Sequence, residues 1–259
     1  YWYDRHITER TAGPCIDACR QAEVKEVFFT QWGDNGAYCD HDSAFAGMAW
    51  CADRAYGHGS PSIAKLEKRF AAVCGGSYRS HILGSDLHEA LGIQPDMWDD
   101  PIFETRFRQQ CGDRPARMAE VASAYAALAR RLQRQAAKAG KGAPERAAGD
   151  LEHAGRTARA FASRYELSAR LLAAYRKGDR AAAQRLRRRI PQVTAAIRAM
   201  EESFRGMWMA HNKPEGLETI QARFGMLEAR YRELDRRLAE YGKGTLAKIA
   251  ELEYGAPPK

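Results

Sequence analysis

The sequence has no apolar run that approaches the ~20 residues of a membrane-spanning helix, so we expect a soluble chain that does not enter a membrane. It also lacks a paired Cys-x-x-Cys motif, and its six cysteines match neither a zinc spacing nor a small secreted disulfide framework. Cys39, His41 and Cys51 could surround a metal ion, but ordinary thiols are the stronger interpretation. We therefore expect no metal and no cofactor, and the cysteine usage favours a reducing compartment such as the cytoplasm.

The sequence also lacks an initiator Met and a basic-then-apolar leader, because it begins at Tyr1. We interpret it as a fragment. Its 259 residues, 45% of them hydrophobic, could bury one large core or two modest ones, and the change of pattern along the chain favours two.

The formal charge of +8 is compatible with a nucleic-acid partner, because clustered Lys and Arg release counterions from phosphates. The arginine runs Arg130-Arg131, Arg187-Arg188-Arg189 and Arg236-Arg237 lie among Ala, Leu and Glu, a pattern typical of solvated helix faces. We favour solvated faces over a nucleic-acid surface.

The first half of the chain has the order helix, strand, loop, helix. Residues 24–30, VKEVFFT, predict a short buried strand between a helix at 13–22 and another at 43–56 that Ser43 could cap. A further helix is predicted after Ser60-Pro61. This order is typical of a (β/α) barrel, but one strand cannot close a barrel within this chain.

The second half is rich in Ala, Leu, Arg and Glu, which predicts long helices at about 115–137, 145–176, 179–210 and 217–241. Pro191 should kink or split the third of these helices. The fourth helix should bury one face, which carries Leu227, Tyr231, Leu234 and Leu238. The expected fold class is thus mainly α, with a barrel remnant and connector over residues 1–112 and an antiparallel helical bundle over residues 113–259.

The motif Trp32-Gly33-Asp34-Asn35-Gly36 follows the predicted strand, and barrel active sites lie at such strand ends. An indole can cover the apolar face of a pyranose while a carboxylate accepts hydrogen bonds from its hydroxyls. The alternative is a core or interface aromatic beside an ordinary turn. Spacing alone favours that alternative.

Two blocks resemble the C-terminal part of glycoside hydrolase family 20, the β-N-acetylhexosaminidases. They are VKEVFFTQWGDNGAYCDHDSAFAGMAWCAD and FRGMWMAHNKPEGLETIQARFGMLEARYRELDRRLAEY, and the similarity runs from about residue 15 to residue 252. The resemblance implies a (β/α)8 barrel with a C-terminal helical domain that cleaves terminal N-acetylhexosamine from glycans or glycoconjugates. Trp32 then resembles the wall of the terminal-sugar pocket, and Asp34 the acidic residue that binds sugar hydroxyls.

In that family the 2-acetamido oxygen of the substrate attacks the anomeric carbon, and an adjacent Asp-Glu pair orients the acetamide and transfers the proton. This sequence contains no Asp-Glu dipeptide, so the pair is expected upstream of Tyr1. The resemblance therefore assigns no catalytic residue to this chain, and we expect the chain alone to be inactive.

Several other conspicuous residues receive no functional role. Tyr1, Tyr3 and Asp4 are interpreted as a frayed terminus, since the pattern of the family is interrupted there. Trp208, Asn212 and Lys213 are interpreted as packing and capping residues at a helix end. Glu201-Glu202 is interpreted as a solvated helix face, because neighbours on a helix do not share a face.

Three hypotheses follow from the sequence. The first is the C-terminal portion of a hexosaminidase, inactive alone, with an N-acetylhexosamine-containing glycan as its partner. The second is a basic helical interaction module that binds nucleic acid or another protein through its arginine runs. In the third, which is compatible with the first, the helical domain is a brace or a homodimer surface.

Overall fold

The structure, a computed structural model, describes residues 1–33, 36, 38–57, 59, 61–139 and 145–254, without the side chains of 145 and 146. In this part of the chain the regular structure is helical, apart from one isolated bridge between Ala90 and Ile93. The mainly α prediction is confirmed. No helix among these residues has the length and apolar character needed to cross a membrane.

The chain divides into two compact units. Unit 1 comprises Tyr1–His88 and Arg130–Gly155, and unit 2 comprises Glu89–Ala129 and Arg156–Lys259. Unit 1 contains four helices near the start of the chain: α1 (Arg5–Gln21), α2 (Phe45–Tyr56), α3 (Ile63–Cys74) and α4 (Tyr78–Gly84). Short 3-10 turns lie at His41–Ala44 and Ser85–Leu87.

The later helices are longer. They are α5 (Thr105–Gln110), α6 (Pro115–Ala139), α7 (Glu145–Arg176), α8 (Arg180–Leu186), α9 (Ile190–His211), α10 (Leu217–Lys243) and α11 (Ala250–Glu253). By the division above, α6 and α7 each contribute residues to both units.

The predicted interruption at Pro191 is confirmed. A 3-10 turn at Arg187–Arg189 separates α8 from α9, and Pro191 lies in the first turn of α9, where its missing N–H costs no helix hydrogen bond. The predicted apolar face of α10 is also confirmed, since Leu227, Tyr231, Leu234 and Leu238 are all buried. A period of three to four residues is enough to predict such a face.

The predicted strand at residues 24–30 is wrong. These residues have no strand structure, and all of them are exposed. A strand needs a neighbour for its backbone hydrogen bonds, and the described residues include no other strand that could supply one. The VKEVFFT pattern indicates residues that favour an extended backbone, but it says nothing about a second strand that could pair with them.

Three predicted helix starts also differ from the structure. The helix predicted from residue 13 begins at Arg5. Ser43 does not cap α2; it is buried within the preceding 3-10 turn, whose N-cap is Asp40. The third helix begins at Ile63 after an N-cap at Ser62, while Ser60 lies outside the described residues. Both serines were chosen because they lie next to an apolar run in the sequence, and the serine nearest such a run is not always the one at the helix boundary.

The core of unit 1 lies among α2, α3 and α4. Phe70 contacts Tyr78 and the ring of His81, with ring centroids 5.9 Å and 4.8 Å away. Trp2 is 4% exposed and donates from its indole to the carbonyl of His81 at 2.7 Å. The interpretation of Tyr1, Tyr3 and Asp4 as a frayed terminus is therefore wrong, because Trp2 between them is buried and Asp4 caps α1 by accepting from the backbone N–H of Ile7.

The core of unit 2 contains a stack of aromatic rings. Phe107 and Tyr165 stack with ring centroids 3.7 Å apart, and Tyr125 lies 5.3 Å from Phe161. Beside them, the buried Arg164 donates hydrogen bonds to the carbonyls of Met97 and Asp99. The irregular stretch before α5 is thus held by a side chain from α7.

Candidate functional site

Trp32 is 80% exposed, so its indole faces solvent and does not pack in the core of unit 1. Its only described hydrogen bond runs from the indole nitrogen to the hydroxyl of Thr30, at 2.8 Å. Asp34 and Asn35 of the same motif lie outside the described residues. The structure therefore gives a position for Trp32, the predicted stacking residue, but not for Asp34, the predicted carboxylate.

Gly36 permits the turn that follows Trp32. Its backbone N–H donates to the carbonyl of Gly33 at 2.9 Å, and its φ of +111° lies in the region that favours glycine. A Cβ on Gly36 would lie 2.4 Å from the ring of Tyr38. Both the backbone conformation and the close ring require glycine at this position.

The chain after the turn is firmly anchored. Tyr38 is 5% exposed and its ring stacks on that of Tyr1 at 6.0 Å. The carbonyl oxygen of Tyr38 lies 3.0 Å from Nε2 of His153 in α7. Asp40 then accepts a hydrogen bond from the backbone of Asp42 at 3.0 Å. One side of the motif is fixed while the other presents Trp32 to solvent.

The stretch before Trp32 exposes an unusual number of large apolar side chains. We call residues 24–32 the apolar segment; its exposed members are Val24, Val27, Phe28, Phe29 and Trp32. Phe28 is the extreme case at 88% exposure. Nearby, Nε2 of Gln31 lies 4.0 Å from the sulfur of Met48 in α2, itself an exposed apolar residue. Contiguous exposed apolar surface of this kind marks an interaction site more often than an ordinary surface.

Burial shifts the pKa values of three titratable groups in unit 1. Burial lowers the pKa of His81, and burial raises the pKa of the Cys39 thiol, which lies 3.4 Å from the hydroxyl of Ser43. Cys51 is buried, and burial raises its pKa to about 11. Among the described residues, no three His, Cys, Asp or Glu side chains are placed to hold a metal ion together.

Trp208 in unit 2 has the structural role predicted for it. Its indole nitrogen donates to the carbonyl of Lys213 at 2.6 Å, and its ring lies 3.4 Å from where a Cβ of Gly216 would be. Asn212 is the C-cap residue of α9. These contacts close the turn between α9 and α10.

The sequence did not reveal that arginines far apart in the chain meet on unit 2. Arg187, Arg198, Arg232 and Arg236 line one cleft together with parts of α9 and α10. In the sequence only the large number of arginines pointed to such a cleft, because the helix pattern predicts a solvated face for each group of arginines taken alone.

The comparisons with known proteins concern mainly unit 2. The model of the Glycoside Hydrolase 20C C-terminal domain matches residues 97–256, more than half of the 259 residues. No curated protein matches the chain. The matched region begins at Met97, whose carbonyl Arg164 binds, and continues through α11. The chain belongs to the family of the glycoside hydrolase 20C C-terminal domain.

Proposed function

We propose that this chain is the C-terminal portion of a β-N-acetylhexosaminidase and that it supplies part of the pocket for a terminal N-acetylhexosamine. The family match over residues 97–256 carries the assignment to this hydrolase lineage. Trp32 forms one wall of the pocket, and Asp34 binds hydroxyl groups of the sugar.

The exposure of Trp32 supports this role. A pyranose ring can stack on an indole only if one face of the indole is free, and an indole that is 80% exposed offers such a face. The nearby Gly36 turn and the anchored Tyr38 limit where the chain can move after Trp32.

The exposed apolar segment supports a contact with a further part of the enzyme. Its exposed Val and Phe side chains have a composition typical of residues that are buried against a partner. Exposed Phe45 and Met48 on α2 add apolar surface of the kind a barrel helix packs against its sheet. In our proposal another part of the enzyme covers this segment, and that contact brings Trp32 to the mouth of the barrel.

The chemistry is a substrate-assisted retaining hydrolysis. The acetamido oxygen of the substrate attacks the anomeric carbon, and a carboxylic acid protonates the leaving oxygen. This chain has no Asp-Glu pair, so it binds and orients the terminal sugar while the pair lies on another part of the enzyme. Trp32 shields the reacting sugar from water on one side, and Asp34 fixes its hydroxyls.

Kinetics on the polypeptide encoded by the whole reading frame that includes these residues test the proposal. Hydrolysis of the 4-nitrophenyl β-glycosides of N-acetylglucosamine and N-acetylgalactosamine should be detectable. Asp34→Ala should lower kcat/KM roughly 5- to 150-fold, the cost of about 1 to 3 kcal/mol for lost hydrogen bonds. Trp32→Ala should also lower kcat/KM, and Trp208→Phe is the matched aromatic control that should not.

Two results would overturn this assignment. One is the absence of turnover of either glycoside by the full polypeptide. The other is turnover by the isolated 259-residue chain that survives both Trp32→Ala and Asp34→Ala, because the chemistry would then come from residues with no place in this mechanism.

A further inference from the structure

A cleft of about 460 Å³ lies on unit 2 where the start of α9 meets α10. Its charged lining consists of Arg187, Arg198, Arg232, Arg236, Glu228 and Asp235. Ile190, Pro191 and Thr194 complete it. We call this the arginine cleft.

Two of the arginines are held in fixed positions by carboxylates. Arg187 donates two hydrogen bonds to Asp235, both of 2.8 Å, and Arg198 donates two to Glu228, of 2.7 and 2.9 Å. Bidentate pairs of this kind fix the planes of the guanidinium groups. Arg187 and Arg198 are therefore oriented before any ligand arrives.

The positive charge in the cleft exceeds what its carboxylates can neutralise. Within the lining four guanidinium groups face two carboxylates, an excess of two positive charges, and Arg236 also lies 3.5 Å from Glu233, a carboxylate outside the lining. Arg232 and Arg236 are both exposed and lie one turn apart on α10. The pKa of Glu228 is lowered, first by its hydrogen bonds from Arg198 and then by the charges of Arg198 and Arg232. Glu228 therefore counts as a negative charge when the charges of the cleft are compared.

The rest of the lining selects among anionic partners. No aromatic ring is among the described residues of the cleft, so it offers no stacking surface for nucleic-acid bases. Asp235 and Glu228 would repel a continuous phosphodiester backbone. They keep lone pairs that can accept hydrogen bonds from hydroxyl groups. A ligand that alternates hydroxyls with isolated anionic groups matches this lining better than a nucleic acid does.

We propose that the arginine cleft binds a sulfated glycan, with Arg232 and Arg236 contacting its sulfate groups and Asp235 and Glu228 accepting hydrogen bonds from its hydroxyls. The choice of a glycan as the carrier of the sulfates rests on the proposed function. Sulfate oxygens fit the planar fork of a guanidinium, which favours arginine over lysine at such a site.

Binding of a fluorescently labelled chondroitin sulfate hexasaccharide to the 259-residue chain tests the proposal by anisotropy. We expect the double variant Arg232→Ala with Arg236→Ala to bind the hexasaccharide roughly tenfold more weakly, or weaker still. Each lost hydrogen bond to a charged group accounts for a large part of such a tenfold increase in the dissociation constant. Alanine preserves the helix, and neither arginine is buried. Circular dichroism checks that the variant is folded.

The matched control is Lys177→Ala with Arg205→Ala, which also removes two exposed positive charges from unit 2 but none from the cleft. It should keep the wild-type affinity within about twofold at the same salt concentration. Equal weakening by both double variants would overturn the proposal, since binding would then follow total charge alone. Tighter binding of a duplex RNA of matched charge, or equal binding of neutral chitohexaose, would overturn it as well. None of these readouts depends on hydrolysis. The binding proposal can therefore hold if the proposed enzymatic function fails, and it can fail if that function holds.

Discussion

The guanidinium of Arg164 donates a hydrogen bond of 2.6 Å to the backbone carbonyl of Met97, and Arg164 is only 4% exposed. The same side chain donates to the carbonyl of Asp99 at 2.7 Å and to the hydroxyl of Tyr231 at 3.3 Å. One residue of α7 thereby ties the irregular stretch before α5 to α10. Such a chain segment has few backbone partners of its own, so a buried donor is needed to satisfy its carbonyls.

Arg164→Met should destabilise unit 2 by about 3 kcal/mol, because it leaves several buried acceptors without a donor. Urea unfolding followed by circular dichroism measures the change. Arg170→Met, on the same helix but with the arginine side chain 52% exposed, is the control and should cost less than about 1 kcal/mol. Equal midpoints for the two variants would show that Arg164 does not hold the segment.

Glu104 makes the stability of unit 2 depend on pH. Burial raises its pKa from 4.5 to about 8, partly opposed by the hydrogen bond that it accepts from Ser168. Between those two pH values the folded state binds more protons than the unfolded state, so the free energy of unfolding falls as the pH rises. The stabilisation is fully present below pH 4.5 and is lost as the pH passes through about 8.

Glu104→Gln imitates the protonated side chain, so its stability advantage over the wild type should grow from pH 5 to pH 8. Thermal unfolding across this range measures the difference. At pH 8 the melting temperature of Glu104→Gln should exceed that of the wild type by several °C, on the order expected for 1 to 2 kcal/mol. Glu120→Gln is the exposed control and should follow the wild type. A constant difference between Glu104→Gln and the wild type would contradict the raised pKa.

Gly84→Ala should destabilise unit 1, because the new Cβ would lie 2.3 Å from the indole of Trp2. Overpacking of this kind costs about 1 to 3 kcal/mol. Gly149→Ala is the control, since nothing lies within 4 Å of its Cβ position and it is in the helix α7. Alanine there should stabilise the chain by about 0.5 to 1 kcal/mol. If both changes shift the urea midpoint in the same direction, Trp2 does not pack against Gly84 in solution.

Trp32→Ala should change the free energy of unfolding of the isolated chain by less than about 0.5 kcal/mol, because the indole is 80% exposed. Trp2→Ala, which removes a buried indole, should cost about 3 to 5 kcal/mol. Chemical denaturation compares the two variants directly. A large loss for Trp32→Ala would mean that the indole packs in the fold and is not available to a sugar.

The local patterns predicted much of the helical part and little of the candidate site. The bounds of α7, the split near Pro191 and the buried face of α10 all follow from a few neighbouring residues, and all are confirmed. Residues 24–30 were predicted as a strand and have no strand structure, since strand pairing depends on distant residues. The assignment of Trp32 and Asp34 to a sugar pocket remains a prediction.

The sequence by itself determined where the long helices run and which face of α10 is apolar, because helix propensity and periodicity act over one or two turns. Tertiary structure decided what no local pattern contains: the burial of Trp2 against Gly84, the capture of Met97 by Arg164, and the meeting of arginines from separate helices in one cleft. Each of these depends on residues far apart in the chain, whose contact is fixed only when the cores of the two units are packed.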